Sequence, residues 1–584
     1  MYLKLHYIFL IIVLLQTSIV KPQNSRAEIS DGDTITKTLK LGEAHNYQIA
    51  LNQGELAVLT LYDYTINTKS IVTNEENYIV EQSDTWDISN YIVFYADESE
   101  EFSIEIEPFN NSQEKGVYSL KTKVYRSETN DKTETINQFL SIFYEDDGPG
   151  ASILILDNGI PKYKRSFGLS NLEYNIPVTE NTVFNLASVS KQITAFGIAI
   201  LAYRGIISLK DDIRKYIPEL PEYDHVVTIQ HLIDHTSGLY ESRHALVLAG
   251  YGSEGFYDKD RVLRYLSRQK NLLFTPGERL QYSNSGYILL SEVISRSTGI
   301  GFAEWIKENI FSPLEMNNSL IRDNPELIIE KRAYPYYATS EEDHAQSLND
   351  FGAIGASGVY SSINDLAKWL NNYKTGKVGG PEILAIVNRQ GVLNNGDRTN
   401  YAFGNWKSDN KGLNRINHLG LTSGYRTSVT RYPDKDVAII YLANDGAFRT
   451  YYLARKIEDI FLLDSYSFVK KESEGSKTID TNKDTSSEEL ESEKRIDTDI
   501  TEYLGVYYSN EIVASYDFVE KNGKIQIVST KHRPIDLEQT NNDIFKGNQW
   551  FFDQIKFQRD KSNKIIGCIV FSDSDGTGIE FRKE

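Results

Sequence analysis

One polar stretch divides the chain, because it lacks the side chains from which a core is built. Residues Lys470 to Asp499 are rich in Ser, Thr, Glu, Asp and Lys and hold almost no large apolar side chain. So little apolar burial cannot offset the entropy of ordering the backbone, and we predict an acidic flexible linker over residues 470–499. The chain of 584 residues is also longer than one hydrophobic core usually organises, so it must fold in several parts.

The composition excludes several classes of protein. The formal net charge of −20 disfavours nucleic acid as a partner, because a phosphate backbone would be repelled. A hydrophobic content of 40% is enough to build cores, which excludes wholesale disorder and a polytopic membrane protein. The single cysteine, Cys568, cannot form an internal disulfide or a multi-cysteine metal site, and we expect an inert buried thiol. The chemistry must then come from hydroxyls, amines, carboxylates or histidines, and we predict no cofactor.

The N-terminus has the pattern of an export signal. Lys4 precedes an uninterrupted apolar run from Tyr7 to Leu15, which is too short to span a bilayer but has the length of a secretory h-region. We predict a signal peptide over residues 1–23 and a periplasmic or extracellular location. No clean cleavage motif precedes the expected mature start, so an uncleaved N-terminal anchor stays an alternative.

Strand patterns lie on both sides of the middle segment. Phe102 to Glu107 alternates apolar and polar residues, and the surrounding pattern predicts a jelly-roll-like β-sandwich over residues 28–127. This region holds no catalytic constellation, so we expect it to bind a ligand or to act as a spacer. After the linker, short runs such as Lys524 to Val528 and Ile565 to Phe571 predict a small β-barrel over residues 502–584.

The middle segment, residues 136–465, mixes the periodicities of strands and helices. Ala151 to Leu156 is a strand pattern that ends at the hairpin signal Asp157-Asn-Gly159. Apolar residues return at helical spacing after Ser188, and Thr228 is placed to cap a further helix. These patterns predict an α/β (α+β) domain with a helical insertion.

The Ser188-Val-Ser-Lys191 motif is the strongest chemical feature of this segment. On a helix, residues three apart share a face, so the Lys191 amine lies beside the Ser188 hydroxyl and can take its proton if burial lowers the lysine pKa. The motif alone is weak, because a four-residue pattern recurs by chance in long chains. Two further elements follow it in the chain, Tyr282-Ser-Asn284 and His418-Leu-Gly420.

In this order, and with flanking segments such as His235-Thr-Ser-Gly-Leu239, the three elements resemble the serine β-lactamase and penicillin-binding-protein superfamily. The likeness is greatest to class C β-lactamases and to the related D-alanyl-D-alanine peptidases, D-aminopeptidases and esterases. It covers about the whole middle segment. It implies a β-lactamase/transpeptidase-like catalytic domain, flanked here by the N-terminal sandwich and the C-terminal barrel.

The resemblance implies a role for each motif residue. Ser188 would attack a carbonyl carbon to form an acyl-enzyme. Lys191 and Tyr282 would share the proton transfers, and which of them is the general base stays open. Asn284 would hydrogen-bond the substrate amide and Lys191, and His418 would hydrogen-bond Tyr282 or the substrate.

The resemblance also implies an oxyanion hole and a substrate site. The backbone amides of Ser188 and Leu421 would hold the oxyanion, and Gly420 and Arg426 would line the substrate. Hydroxyl residues that hold a substrate carboxylate in this family are replaced here by Leu419 and Leu421. A histidine of ordinary pKa in the place of the family's lysine is only partly charged, which weakens anion recognition further unless Arg426 compensates. We therefore rank β-lactam hydrolysis below peptidase or esterase activity.

The C-terminal strands, beginning at Tyr503-Leu-Gly-Val-Tyr-Tyr508, resemble the lipocalin-like domains that follow some peptidases and esterases of this superfamily. Such a domain can narrow the cleft or mediate self-association. The length of the linker predicts that the barrel is loosely tethered. Near the N-terminus, the stretches from Gly42 to Tyr47 and from Asn52 to Glu55 weakly resemble the pre-peptidase-type jelly-roll domains of secreted hydrolases.

His231 and His235 form an alternative site, since imidazoles four residues apart on a helix can chelate zinc. The glutamate of the H-E-x-x-H pattern is absent, and the resemblance explains His235-Thr-Ser-Gly as a helix-to-loop turn, so we predict no metal site. We expect a further group of histidines to be solvated at the surface: His45, His225, His244, His344 and His532.

The sequence thus predicts an exported serine hydrolase that acts on a peptide, D-amino-acid amide or ester bond through Ser188. Its partner would be a small molecule or a short peptide, with cell-wall peptide as one candidate. Two alternatives stay open. The chain could be a β-lactamase, or a binding or sensor protein that is acylated without turnover or not acylated at all.

Overall fold

The computed structural model describes residues 26–63, 65–83, 91–109, 115–126, 131–251, 258–339, 343–347, 352, 354–447, 449–468, 470, 500–572 and 578–584. They form two compact units, one from residue 26 to 126 with Lys470, the other comprising residues 131–468 and 500–584. The predicted signal peptide and residues 471–499 of the predicted linker lie outside the described residues. Among the described residues, no helix has the length and apolar composition needed to cross a membrane.

The first unit is a sandwich of two sheets. Its strands are β1 (Ala27–Glu28), β2 (Thr34–Lys40), β3 (His45–Leu51), β4 (Glu55–Asp63), β5 (Thr68–Thr73), β6 (Ile79–Ser83), β7 (Tyr91–Tyr95), β8 (Glu100–Pro108) and β9 (Lys115–Arg126). One sheet has the strand order β1-β3-β8-β5-β6 and the other β2-β9-β4-β7. The alternation in β8 buries Phe102, Ile104 and Ile106 in the core, because successive side chains of a strand point to opposite faces. The predicted β-sandwich is confirmed.

The second unit begins with a mixed α/β domain. Its strands are β10 (Ala151–Asp157), β11 (Ile160–Phe167), β12 (Leu169–Asn171), β13 (Ile176–Pro177), β14 (Phe184–Asn185), β15 (Leu320–Ile321), β16 (Tyr336–Ala338), β17 (His344–Gln346), β18 (Val359–Ser361), β19 (Tyr401–Ala402), β20 (Asn405–Asn410), β21 (Leu413–Thr422), β22 (Tyr425–Tyr432) and β23 (Val437–Ala443). Its helices are α1 (Lys132–Ser141), α2 (Ser190–Tyr203), α3 (Ile229–Ile233), α4 (Ser242–Leu248), α5 (Lys259–Leu266), α6 (Asn284–Thr298), α7 (Phe302–Ile306), α8 (Ile363–Thr375), α9 (Gly380–Val387) and α10 (Arg449–Leu462).

An antiparallel sheet of order β11-β10-β23-β22-β21-β20-β19 is the frame of this domain. Helix α10 packs on β22 and β23, and α8 packs on β10 and β23. Helix α2 is buried along nearly its whole length and contacts α6 and α9. The predicted α/β fold with a helical insertion is confirmed, the insertion being the helices between β14 and β15.

Local signals in the sequence account for several element ends. Asn158 and Gly159 have φ of 54° and 79°, which is the backbone that a tight hairpin between β10 and β11 requires. Thr228 caps α3 by accepting a hydrogen bond from the His231 backbone N–H, and Gly299 ends α6 at a φ of 74°. The predicted hairpin and the predicted Thr228 cap are confirmed.

A closed eight-stranded barrel completes the second unit. Its strands are β24 (Gly505–Ser509), β25 (Ala514–Lys521), β26 (Lys524–Val528), β27 (Ile535–Asn541), β28 (Ile544–Gly547), β29 (Gln554–Arg559), β30 (Ile565–Phe571) and β31 (Gly578–Lys583). The Cys568 side chain is buried in the barrel, and burial raises the pKa of its thiol well above the ordinary value. Both the predicted barrel and the buried thiol are confirmed.

The barrel is not loosely tethered, which corrects the prediction from the linker. It shares one hydrophobic core cluster with the α/β domain, and its side chains donate to carbonyl oxygens at the C-terminal end of α4. Tyr516 Oη donates to Leu248 O at 2.5 Å, and Lys531 Nζ donates to Ala249 O at 2.6 Å. The last carbonyls of a helix have no partner within it, so the barrel satisfies groups that α4 leaves open.

Two histidines at this interface are not solvated as predicted. His244, on α4, is 1% exposed and its Nε2 lies 3.1 Å from Phe551 O of the barrel. His532, on the barrel, is partly buried, with its Nε2 2.8 Å from Val247 O. The sequence did not indicate this docking, so the burial of these imidazoles could not be predicted.

Candidate active site

The Ser188 side chain lies on a turn held between the sheet and α2. Ser188 belongs to a 3-10 turn, Ala187–Val189, directly before α2. The Ala187 backbone has a φ of 47°, a left-handed conformation that is uncommon without glycine, and its N–H donates to Asn185 Oδ1 at 2.9 Å. The Thr427 hydroxyl on β22 donates to Leu186 O at 2.9 Å. The turn is therefore fixed from both sides.

Gly420 lets β21 approach this turn closely. A Cβ at this position would lie 2.3 Å from Leu186 O and 3.1 Å from the Ala187 Cβ. A side chain here would push the strand and the Ser188 turn apart, so glycine is required for close packing. The structure thus places Gly420 beside the backbone of the Ser188 turn.

The Lys191 amine is buried next to the Ser188 hydroxyl. Its Nζ lies 3.1 Å from Ser188 Oγ, 2.8 Å from Asn284 Oδ1 and 3.0 Å from Ala356 O. The Ala356 carbonyl oxygen and Asn284 Oδ1 can only accept hydrogen bonds, so a neutral amine that donates to both directs its lone pair at Ser188. Burial lowers the pKa of Lys191 to about 7, so a large fraction of the amine is neutral at physiological pH.

Asn284 is held by a carboxylate that the sequence analysis did not single out. Glu241 Oε2 accepts hydrogen bonds from the Asn284 backbone N–H at 2.6 Å and from Ser283 Oγ at 3.1 Å. Glu241 Oε1 accepts from Asn284 Nδ2 at 3.3 Å. Asn284 is the first residue of α6, so the carboxylate also faces the positive end of this helix. Glu241 lies 43 residues earlier in the chain, and no local pattern links the two.

Tyr282 lies against both Ser188 and Lys191. Its hydroxyl hydrogen-bonds with Ser188, and Lys191 Nζ is 4.8 Å from its ring centroid. Burial raises the pKa of Tyr282 above its ordinary value, the bond to Ser188 opposing this only in part. The phenol therefore carries its proton at neutral pH. The ring also stacks at 14° on Trp406, with 6.2 Å between centroids, which restricts its orientation.

His418 lies in the middle of β21. Its Nε2 accepts from Tyr401 Oη at 3.2 Å and its Nδ1 donates to Leu419 O at 2.6 Å, so the ring is used by neighbours other than Tyr282. Burial, with a contribution from Lys191, lowers the pKa of His418 to about 3. The expectation of a partly charged imidazole is wrong, because the ring is neutral throughout the physiological range.

His235 is a second buried imidazole of the site. It packs against the rings of Tyr282, Tyr287 and Tyr401, at centroid distances of 4.3, 5.0 and 4.4 Å. Its Nδ1 accepts from the Ser283 backbone N–H at 3.1 Å, and burial lowers its pKa well below the ordinary value. The ring therefore supports the segment that carries Tyr282.

The imidazoles of His231 and His235 do not face each other as a chelating pair would. His231 lies on α3, where its Nδ1 accepts from the Thr228 backbone N–H at 3.2 Å. His235 follows the helix with a φ of 56°, which turns its side chain to Ser283. Among the described residues, no group of three or more potential ligand side chains is arranged to hold a metal ion.

The remaining predicted residues lie along β21 and β22. Leu421 pairs with Arg426, and the pairing of β20 with β21 ends at Asn417, so the edge of β21 beyond it faces the site without β20. The Arg426 guanidinium donates to Tyr425 O at 2.9 Å and to Gly446 O at 2.5 Å. Its neighbour Thr427 points to the Ser188 turn, and adjacent residues of a strand point to opposite faces. The structure therefore does not bring the Arg426 side chain together with Ser188.

Comparison with known proteins agrees with this geometry. The sequence model of the family described as Beta-lactamase matches residues 134–459. Penicillin-binding protein 4* of Bacillus subtilis is 31% identical over 315 residues, covering 50% of this chain and 67% of its own length. A D-aminopeptidase of Gluconobacter oxydans is 24% identical over 302 residues, covering 51% of this chain and 56% of its own length.

Solved structures give the same fold. The octameric penicillin-binding protein homologue of Pyrococcus abyssi is similar with a TM-score of 0.51 at 20% identity, covering 77% of this chain and 99% of its own. A penicillin-binding protein of Bacillus halodurans is similar with a TM-score of 0.50 at 22% identity, covering 57% of this chain and 99% of its own.

Proposed function

The chain belongs to the β-lactamase family of serine hydrolases, and we propose that it cleaves a small D-amino-acid amide, peptide or ester through an acyl-enzyme on Ser188. The observation that carries this proposal is the position of Lys191 Nζ, 3.1 Å from Ser188 Oγ and buried. A buried amine of pKa about 7 is suited to general-base catalysis near neutral pH.

In the acylation step, Lys191 acts as the base and Ser188 as the nucleophile. The Oγ–H proton passes to neutral Lys191 as Oγ bonds to the substrate carbonyl carbon, and the carbonyl electron pair moves to oxygen. The resulting oxyanion is held by the backbone N–H groups of Ser188 and Leu421. Tyr282 is the weaker candidate for the base, because burial raises the pKa of its phenol. Its hydroxyl instead relays a proton from Lys191 to the leaving amine or alkoxide, which breaks the scissile bond.

Deacylation uses the same groups, with water in place of Ser188 as the nucleophile. Neutral Lys191, or Tyr282 in relay with it, takes a proton from water as the water oxygen attacks the acyl carbon. The ester bond to Ser188 Oγ breaks, Oγ regains a proton, and the acid product leaves. Asn284 holds Lys191 in place through both steps, since Lys191 donates to its side-chain oxygen at 2.8 Å.

The preferred substrate lacks a free carboxylate beside the scissile bond. His418 is uncharged, the Arg426 guanidinium is bonded to backbone carbonyls, and the hydroxyl positions of the family are Leu419 and Leu421. An anionic C-terminal group would therefore find little compensating charge. This favours D-aminopeptidase, amidase or esterase activity over carboxypeptidase activity, and the similarity to D-aminopeptidases agrees with that choice.

A covalent label tests the nucleophile and a substrate panel tests the activity. A fluorophosphonate probe should attach to Ser188 in the full-length protein, as mapped by mass spectrometry, and Ser188→Ala should abolish labelling. A panel of small esters, D-alanine amide, D-alanyl-D-alanine and nitrocefin should then give the highest kcat/KM for an ester or amide. Absence of the adduct, or nitrocefin turnover at the rate of a true β-lactamase, would reject the proposal as stated.

A penicillin-binding protein that turns over slowly is the second candidate, favoured by the similarity to penicillin-binding protein 4*. It differs from the first in one measurable step. A fluorescent penicillin would then form a lasting adduct on Ser188, while the ester and amide panel would show no steady-state turnover.

We also propose that the chain is exported, on the basis of the apolar run from Tyr7 to Leu15. N-terminal sequencing of secreted material tests this. A new N-terminus near residue 24 supports a cleaved signal, whereas an intact Met1 supports an N-terminal anchor.

A further inference from the structure

A second, positively charged cavity lies in the α/β domain. It has a volume of about 1150 Å³ and lies beside the C-terminal end of α9 and the β20–β22 part of the sheet. Its lining includes four cationic side chains, Arg389, Arg398, Lys407 and Arg431, which we call the cation basin. Ser188, Lys191 and Tyr282 do not line it, so it is separate from the hydrolase site.

The sheet register brings two of these cations together. Lys407 on β20 pairs with Ile416 on β21, and Ile416 pairs with Arg431 on β22. Residues paired across neighbouring strands share a face, so Lys407 and Arg431 lie in one row on the same side of the sheet. The basin is thus built into the sheet by strand pairing.

Neutral groups are the partners of these cations. Lys407 Nζ donates to Arg389 O at 2.6 Å, and the Arg431 guanidinium stacks on the Tyr373 ring at 3.6 Å. Arg431 also donates to Asn388 Oδ1 at 3.4 Å, and Arg398 donates to a glutamine. Within the described ranges, no carboxylate oxygen lies within ion-pairing distance of any of the four cations.

Two other largely buried cations of the same domain have carboxylate partners. Arg415, on β21, donates to Glu458 at 2.7 and 2.9 Å, and Lys456 lies 3.6 Å from Asp459. Arg431 is only 9% exposed and has no such partner. Burial of a charge is costly unless it is paired, so the buried Arg431 guanidinium requires another source of negative charge.

The acidic residues of the lining do not supply this charge. Asp409 Oδ1 accepts from the Gly412 backbone N–H at 3.0 Å, and Asp434 Oδ2 accepts from the Asn414 backbone N–H at 2.8 Å. Both carboxylates therefore stabilise the neighbouring loops. Burial, followed by repulsion from Arg431, lowers the pKa of Lys407 to about 8, against a smaller opposing effect of the buried Asp234 carboxylate, which does not line the basin.

We propose that the cation basin binds a small multivalent oxyanion, such as a sulfate or phosphate group, as the counter-ion of Lys407 and Arg431. Tetrahedral oxyanions accept several charge-assisted hydrogen bonds at once, and a guanidinium beside an ammonium provides donors in the required directions. The net charge of −20 repels extended anionic surfaces, so a free small anion is a better match than an anionic lipid headgroup.

Titration calorimetry of the full-length protein tests this, with sulfate and pyrophosphate as probes and sodium chloride to keep the ionic strength constant. We expect saturable binding with one anion per chain. Lys407→Gln and Arg398→Gln should each weaken the affinity by about tenfold, the usual loss for one charge-assisted contact. Lys435→Gln is the matched control, because this exposed lysine is close to Arg431 in sequence but does not line the basin. The affinity of this variant for the anions should stay within about twofold of that of the wild type.

Three outcomes of this experiment support or overturn the proposed anion site. Thermal unfolding of every variant confirms that it is folded. Binding in the wild type that is weakened in both basin variants and kept in Lys435→Gln supports the proposal. Absence of saturable binding, or equal binding in all variants, overturns it. Binding to phosphatidylglycerol vesicles that depends on Lys407 and Arg398, without binding of either free anion, also overturns it and assigns the basin to a lipid headgroup.

Discussion

The Glu241 carboxylate accepts a hydrogen bond from the Asn284 backbone N–H at 2.6 Å, and through Asn284 it positions the Lys191 amine, which we propose as the base. Asn284 in turn accepts from Lys191 at 2.8 Å, so one buried carboxylate orients the group that contacts the base. The negative charge of Glu241 also raises the pKa of Lys191, against the larger lowering that burial causes. Geometry and protonation at the site therefore depend on the same side chain.

The rate should depend on pH through Lys191. Only the neutral amine accepts the Ser188 proton, so kcat/KM for a non-ionising ester should be low in acid and rise with pH through about 7. His418 should not add a second ionisation in this window, because its pKa is about 3. A profile from pH 5 to 10 that is flat, or that rises only above pH 9, would contradict this assignment.

Glu241→Gln should lower kcat and should shift the rise of kcat/KM with pH, which we call the acid limb, to lower pH. The substitution keeps the shape but removes the charge that raises the pKa of Lys191, so the midpoint of the limb should move to lower pH. Looser placement of Asn284 should reduce kcat by about tenfold or more, because reactions in a positioned site are sensitive to small displacements.

Glu292→Gln is the control for this experiment. Glu292 is buried like Glu241 and lies on α6, but it pairs with Lys259 and Arg296 instead of touching Asn284. It should lower stability without moving the limb. If both variants lose rate and neither shifts the profile, Glu241 has only a structural role, whereas loss of Ser188 labelling in the wild type would instead contradict the proposed function.

Tyr282→Phe should leave a folded protein with a damaged proton relay. The ring keeps its stacking on Trp406 and its contact with Lys191, while the hydroxyl bonded to Ser188 is lost. We expect kcat to fall by about 10²-fold, within the range for loss of a general acid–base group. Tyr287→Phe removes a hydroxyl bonded to Ile233 O and should chiefly affect stability. Activity of Tyr282→Phe within twofold of the wild type would exclude the relay.

Gly420→Ala should displace the turn that carries Ser188. The added Cβ would meet Leu186 O at 2.3 Å and the Thr427 hydroxyl at 2.2 Å, both of which hold the Ser188 segment. Overpacking of this kind costs about 1–3 kcal/mol of stability, and slower fluorophosphonate labelling of Ser188 should accompany it. Gly301→Ala, where a Cβ meets no atom within 4 Å, is the control and should label at the wild-type rate.

The sequence reveals some parts of this site more readily than others, for physical reasons. Ser188 and Lys191 are three residues apart, so helical geometry alone predicts their contact, whereas Tyr282 and His418 were assigned only through a family resemblance. Glu241 could not be found, because its partner Asn284 is distant in the chain. The charge of His418 was misjudged because a pKa depends on burial, which the sequence does not give. The prediction of a loosely tethered barrel was wrong for a similar reason, since the length of a linker does not reveal whether the domains that it joins pack against each other.

The barrel and the α/β domain should unfold as one cooperative unit. Their apolar side chains form a single core cluster, and Tyr516 and Lys531 of the barrel donate to carbonyl oxygens at the end of α4. Tyr516→Phe removes one buried hydrogen bond and leaves Leu248 O without that donor, which should lower the free energy of unfolding by about 1–3 kcal/mol. Tyr508→Phe, at a half-buried position of β24, is the control and should change it by less than about 0.5 kcal/mol. Chemical denaturation should give the same transition whether it is followed by tryptophan fluorescence or by Ser188 labelling. In Tyr516→Phe both transitions should shift to lower denaturant concentration. Two separate transitions, with the labelling transition unmoved by Tyr516→Phe, would mean that the barrel folds independently and that its contacts with α4 contribute nothing to the catalytic domain.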